Sequence, residues 1–191
     1  MSPVELLAVI LAVAYLLLVI RQNIFCWICA AISSSMYIWL FIGAKLYMES
    51  LLSLFYAGMA IYGYAVWMHG GRESKTLEVS VWPIRLHAIA IAAIVVASVG
   101  SGWLLSTLSD AAYPYIDSLT TFSAIWATFL VARKVFENWW YWLVIDAVSI
   151  FIYWSRGLEL TSVLFVIYVL LIPVGMAQWW RTYRSQRAAL T

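Results

Sequence analysis

Asn138, Trp142, Asp146, Ser149 and Tyr153 follow one another at spacings of four, four, three and four residues. That rhythm places all five on one face of a helix. The flanking sequence is strongly apolar, so Asp146 has little water to solvate its charge. A carboxylate at the centre of a lipid-spanning helix costs about 2.5–3.5 kcal/mol, and such residues face a bundle interior or a wet cavity. A protonated or hydrogen-bonded structural carboxylate would meet that cost. A polar group lining a substrate path would meet it as well, and the rings and hydroxyls on the same face favour this second reading.

Weaker stripes of the same kind occur elsewhere. Glu49, Ser53, Tyr56, Gly63 and Trp67 form one, and Thr161, Phe165, Tyr168, Gly175 and Trp179 form another. Trp27, Ser34 and Tyr37 make a third, and Asp117, Thr121 and Thr128 a fourth. Hydroxyls and glycines taken singly usually just let membrane helices approach closely. Aromatic rings combined with small polar groups suit a planar, polar organic molecule. A carboxylate among them favours a cationic ring, since a desolvated cation–π contact is worth about 2 kcal/mol or more. An ion channel is a poor fit, because there is neither a row of carboxylates nor a carbonyl-filter signature.

Cys26-Trp27-Ile28-Cys29 has the form of a redox pair, and a membrane thiol oxidoreductase is the reading it offers from another class. Relaying electrons through such an enzyme needs a second cysteine pair, and the chain has two cysteines in all. At helical spacing, Cys29 reads as a small packing residue. No catalytic, metal-binding or cofactor-binding set emerges, and His69 and His87 are the only histidines.

The elements that must position these residues follow from composition. Hydrophobic residues make up 65% and charged residues 10% of 191, against about 45–50% and 25% in globular chains. The mean hydropathy is +0.93. One soluble core cannot hide that much apolar surface, so lipid must cover the excess. A net charge of +2 gives no reason to expect nucleic acid. A helical span takes about 20 apolar residues, and seven stretches qualify: Pro3–Ile20, Ile24–Ile42, Leu46–His69, Ile84–Leu105, Ile116–Ala132, Trp139–Trp154 and Leu160–Trp180. The first resembles a signal peptide but lacks a basic leading segment and carries Glu5. Alternating ten-residue segments of a β-barrel are absent.

Nine of the eleven Lys and Arg residues fall on one side of this arrangement, leaving Lys45 and Arg156 on the other. The nine mark the cytoplasm, which puts the N-terminus outside and the C-terminus inside. Trp139–Trp142 and Trp179–Trp180 read partly as interfacial anchors. An internal repeat is also visible. Tyr56, Gly63 and Trp67 match Tyr168, Gly175 and Trp179 at an offset of 112, while Asn23 and Trp27 match Asn138 and Trp142 at 115. Two three-helix units joined through a fourth helix share one orientation, a parallel repeat of the kind used by transporters. The expected divisions are 1–69 for the first repeat, 70–113 for a cytoplasmic loop and connector helix, 114–180 for the second repeat, and 181–191 for a cytoplasmic tail.

With these residues in view, the chain resembles the PnuC-type vitamin transporter family over essentially its whole length. The most specific stretch is Glu137-Asn138-Trp139-x-x-Trp142-x-x-x-Asp146-x-x-Ser149. Asp117-Ser118-x-Thr120-Thr121, Lys45-Leu46-Tyr47 and the endings Gly63–Trp67 and Gly175–Trp179 support it. The resemblance implies an all-α polytopic membrane protein. Its seven transmembrane helices would form a three-plus-one-plus-three parallel repeat, similar to SWEET sugar transporters, in a bacterial inner membrane. It also implies facilitated diffusion of an unphosphorylated vitamin by alternating access, without an enzymatic step or a cofactor. The vitamin would be trapped by a separate cytoplasmic kinase, and a homotrimer is the assembly to test. The expected substrate site, near the midplane, comprises Trp27, Ser34, Tyr37, Ser53, Tyr56, Thr121, Asn138, Trp142, Asp146, Ser149, Tyr153, Phe165 and Tyr168. Nicotinamide riboside members tend to carry Asn at the place of Asp146, Gln at Ser53, and Asn at Ala60 and Val174. Their replacement here makes this chain similar to the thiamine-transporting PnuT branch, with nicotinamide riboside and then riboflavin as alternatives.

Overall fold

The computed structural model describes residues 3–43, 47–70, 77–108, 113–155 and 159–189. Among them the chain forms α1 (Pro3–Ile20), α2 (Phe25–Gly43), α3 (Tyr47–His69), α4 (Ile84–Leu108), α5 (Pro114–Ala132), α6 (Asn138–Ser155) and α7 (Glu159–Ala188). Each expected span is a helix. Lys45, Arg72, Lys75 and Arg156, used above for orientation, lie outside the described residues, as do the side chains of Glu49 and Thr161.

Helix starts follow local chemistry. Pro114 opens α5 and Pro3 opens α1, positions where the missing N–H would have no partner. The Asn23 side chain accepts a hydrogen bond from the Phe25 N–H at 3.0 Å, which caps α2. The largest departure from the sequence reading is at the other end. Residues 181–188, expected as a tail, continue α7. Hydropathy falls there, but Arg, Gln and Ala are good helix formers and no Gly or Pro intervenes.

By length and composition, four described helical stretches can cross a membrane: Ser50–His69, Ile84–Leu108, Pro114–Ala132 and Ser162–Ala188. Leu6–Ile20 and Phe25–Leu40 are apolar but shorter. Exposed side chains include Ile84, Ile89, Val96 and Trp103 along α4, the pattern of a face that meets hydrocarbon rather than water.

The chain divides into two compact units. The first comprises Met1–Val79, Val131–Lys134 and Gly175–Thr191; the second comprises Ser80–Leu130 and Val135–Val174. The boundary within α7 falls just after Pro173, a residue that removes a helix hydrogen bond. In the first unit, α2 packs against both α1 and α3, and the Ser33 hydroxyl donates to the Ala8 carbonyl at 3.0 Å. In the second, Ala124, Ala127 and Ile145 form a core with Tyr141 and Trp142 packed on it. Helix α4 lies in this unit, and the segment leading into it pairs with the segment leading into α6. The Phe136 N–H donates to the Ser80 carbonyl at 2.8 Å.

The two halves of the chain share one register at their turns and serine bridges. After α1, the Gln22 N–H bonds to Val19 and the Asn23 N–H to Leu18; after α5, the Lys134 N–H bonds to Val131 and the Val135 N–H to Leu130. Gln22 and Lys134 both adopt the left-handed conformation, with φ of 54° and 49°. This is a Schellman helix end, built twice. Further on, the Ser50 hydroxyl donates to Ile38 and the Ser162 hydroxyl to Ile150. Every one of these pairs is separated by 112 positions. Trp27 therefore corresponds to Trp139, not to Trp142, and the offset of 115 read from sequence is corrected by one helical turn.

Candidate functional site

The α6 face forms as its spacing requires. Asn138, Asp146 and Ser149 are buried, and Trp142 and Tyr153 are half-buried. Asn138 spends its amide N–H locally, donating to the Val135 carbonyl at 2.6 Å, while its carbonyl oxygen has no partner among the described residues. Asp146 is only 4% exposed, and among the described residues no Lys, Arg or His is ion-paired with it. Trp142 packs on the Ala124–Ala127–Ile145 core. Tyr153 stacks on Phe165 of α7, with centroids 5.2 Å apart and planes 16° from parallel. Phe165 in turn meets Tyr168 edge-on at 5.7 Å. These three expected site residues thus make one aromatic wall beside the α6 face. Thr121, on α5, is half-buried in the same unit.

The expected residues of the first unit are arranged differently. Trp27 is 2% exposed and meets Trp67 edge-on at 5.5 Å and Tyr15 at 6.1 Å. A methyl group added at Gly63 would run into the Trp27 ring, so this glycine is required by close approach. Trp27 is therefore built into a packed aromatic core. Ser53 is buried, while Ser34, Tyr37 and Tyr56 are half-buried. Tyr56 packs beside Phe55 at 5.7 Å.

Trp139 and Trp179, expected in part as interfacial anchors, are instead among the most deeply buried side chains. Their neighbours Trp140 and Trp180, at 54% and 43% exposed, do have surface to offer an interface. The Trp179 indole N–H donates to the Val19 carbonyl at 3.0 Å. The Trp67 indole does the same to Ala132 at 3.1 Å.

Two features escaped the sequence reading. Lys134, in the turn after α5, is buried at 6% exposure, with its ammonium 4.5 Å above the Trp67 ring. Burial pushes this amine down to about 8, and the nearby Cys26 thiol opposes the shift. His87 is also buried. Its Nδ1 lies 3.1 Å from the Tyr141 hydroxyl and its Nε2 3.9 Å from the Glu137 carboxylate. That carboxylate accepts the Trp82 N–H at 3.3 Å. Neither grouping has a local motif, since its members are distant in sequence. Cys26 and Cys29 are free thiols, and no group of His, Cys, Asp and Glu able to hold a metal occurs among the described residues.

Comparison with known proteins follows the same lines. Residues 2–181 match the family described as nicotinamide mononucleotide transporter. A riboflavin/roseoflavin transporter of Streptomyces davaonensis is 30% identical over 138 residues, covering 69% of this chain and 64% of that protein's length. The nicotinamide riboside transporter PnuC of Neisseria mucosa is 30% identical over 182 residues, covering 88% of this chain and 68% of its own. PnuC of Escherichia coli is 22% identical over 172 residues, covering 77% and 72%. The crystal structure of a vitamin B3 transporter PnuC superposes with a TM-score of 0.74 at 24% identity, covering 95% of this chain and 82% of that one. This last likeness is one of fold. The helical architecture, the polar α6 face and the match across nearly the whole length lead to one conclusion: the chain belongs to the nicotinamide mononucleotide transporter family of PnuC-type membrane transporters, which are not enzymes.

Proposed function

We propose that this protein moves an unphosphorylated, positively charged vitamin across a bacterial inner membrane by facilitated diffusion, with nicotinamide riboside as the first candidate. The observation that carries this reading is Asp146. It is a buried carboxylate on the α6 face with no cationic side chain paired to it among the described residues. The stacked Tyr153–Phe165 pair lies on the same helix and its neighbour. A pyridinium ring supplies both the missing charge and a plane to stack on.

Two relatives are named for nicotinamide riboside and one for riboflavin and roseoflavin. None of these three names thiamine, so the thiamine expectation becomes the second reading. It rests on Asp146 alone, since thiazolium is also a cation. Riboflavin is neutral and serves as the discriminating ligand. In this proposal Asn138, Trp142, Asp146, Ser149, Tyr153, Phe165, Tyr168 and Thr121 contact the vitamin. The N-terminus lies outside and the C-terminus inside. Two three-helix repeats joined through α4 alternate access without an ion gradient, and a cytoplasmic kinase traps the product.

Titrating purified protein with nicotinamide riboside, thiamine and riboflavin in parallel tests the substrate. The order expected is nicotinamide riboside, then thiamine, with riboflavin weakest. Tightest binding by riboflavin would remove the charge argument. Uptake into proteoliposomes tests the mechanism: collapsing proton and sodium gradients should leave it unchanged, and accumulation against a vitamin gradient would contradict facilitated diffusion.

A further inference from the structure

The turns after α1 and α5 are the same device with different side chains. In each, a residue in the left-handed conformation ends the helix, and a tryptophan from another helix donates to a carbonyl of the last turn. After α1 the left-handed residue is Gln22, whose amide donates to the Thr182 hydroxyl at 3.0 Å. After α5 it is Lys134, whose ammonium covers the face of Trp67 while the edge of the same indole bonds to Ala132. Lys134 and Ala132 thus grip Trp67 from face and edge, two residues apart in one turn. Trp67 then leans on Trp27, which fills the space beside Gly63.

Gln22 establishes that this turn closes without a cation. A lysine here costs desolvation that a neutral amide avoids, and among the described residues no carboxylate compensates it. The charge is therefore not what the fold requires of this position. The titratable group that acts on Lys134 is Cys26 on α2. Cys29 in turn acts on that thiol, Tyr15 feels it, and Tyr56 acts on Tyr15, while Arg133 is exposed beside the lysine. None is a carboxylate.

We propose that Lys134 is a positioning residue for transport, a proton-sensitive grip on Trp67 that clamps the end of α5 when charged and releases it when neutral. The inference rests on the transport reading for its consequence, though not for its existence. Burial brings the lysine's titration down to about 8, within reach of ordinary solution conditions. Below that pH the clamp is closed; above it the cation–π contact is lost and the indole is held by its hydrogen bond alone.

The test uses the full chain with Lys134→Gln and Lys134→Arg, in a Cys29→Ala background that leaves Cys26 as the one thiol. Vitamin uptake into proteoliposomes and maleimide labelling of Cys26 are followed from about pH 6.5 to about pH 9.5, spanning the lysine's titration. Wild-type uptake should step near pH 8 by about tenfold, within what loss of a desolvated cation–π contact allows. Lys134→Gln should behave at every pH like the wild type at high pH, and Lys134→Arg like the wild type at low pH. Labelling of wild type relative to the Arg variant should rise over the same interval, which separates clamp opening from ordinary thiol ionisation. A step that survives in either variant overturns the proposal, as does identical behaviour of the two. If the Gln variant fails to fold, the Arg variant alone must still lose the step. Normal labelling behaviour with no uptake of any vitamin would sink the transport reading and leave the clamp standing.

Discussion

The first three helices and the last three share a frame but not a chemistry. At the common offset of 112, Ser34 corresponds to Asp146, Tyr37 to Ser149, Ser53 to Phe165 and Tyr56 to Tyr168. The turns, the serine bridges to Ile38 and Ile150, and the donating tryptophans Trp67 and Trp179 are duplicated. The carboxylate is not. It occurs only in the second half, where Ser34 in the first half holds the equivalent place. Likewise, among the described residues, Lys134 is the buried Lys or Arg, opposite neutral Gln22. Duplicated positions carry the backbone; unduplicated charges mark where one half does something the other does not.

Asp146→Asn should break that asymmetry most severely. Truncating one partner of a buried, hydrogen-bonded charge pair costs about 2–5 kcal/mol, so binding of nicotinamide riboside measured by calorimetry should weaken by about thirtyfold or more. Ser34→Ala, at the matching place, should weaken it far less. Equal losses at the two positions would mean that the charge is not what recognises the ligand.

The two turns differ next in their response to pH. Lys134 titrates at about 8 in the folded chain against an ordinary 10.5, so its charge costs stability fully below pH 8. The cost fades as pH rises from 8 toward 10.5, where the unfolded chain also loses the proton. Wild type should therefore gain on Lys134→Gln by about 3 kcal/mol over that interval, read as converging melting curves in detergent. Gln22→Glu or Gln22→Ala should produce no such convergence. The fold thus grows more secure with rising pH while the grip on Trp67 relaxes.

Removing the indole donors tests whether the duplicated clamps are energetically equal. Trp67→Phe leaves the buried Ala132 carbonyl without its indole donor, at a cost of about 1–3 kcal/mol. After Trp179→Phe the Val19 carbonyl keeps the Gln22 N–H, and the cost should be smaller. Trp67→Phe should cost more below pH 8 than above it, because phenylalanine offers a weaker face to the Lys134 cation. Trp179→Phe should be indifferent to pH. The smallest effect is expected from Thr182→Val, which removes the acceptor for Gln22 at a half-buried site and should cost about 0.5–1.5 kcal/mol by thermal melting.

Helix existence was legible because it depends on hydropathy and spacing, which are local. The seven helices among the described residues and the polar face of α6 follow from these. The end of α7 was not legible from hydropathy, since Arg181, Arg184 and Arg187 leave an apolar environment without ceasing to favour helix. The repeat was visible through its rarest residues, Gly63, Trp67, Gly175 and Trp179, but its register at α2 and α6 was not. Three tryptophans close together, Trp139, Trp140 and Trp142, let sequence comparison slip by a turn, whereas the hydrogen bonds at Gln22 and Lys134 admit one alignment.

The candidate site divides the same way. Sequence alone determined that Asn138, Trp142, Asp146, Ser149 and Tyr153 share a face, because helical geometry requires it. It also identified a buried carboxylate as the most costly residue in the chain, because lipid cannot solvate it. Only tertiary structure decided that Phe165 and Tyr168 join Tyr153 in one wall, that Trp27 belongs to a packed core, and that His87 sits against Tyr141 and Glu137. It decided as well that a loop lysine, counted from sequence as one more cytoplasmic charge, is buried over Trp67. Whether a side chain meets water, lipid or another ring depends on neighbours far away in the chain, and no local pattern specifies them.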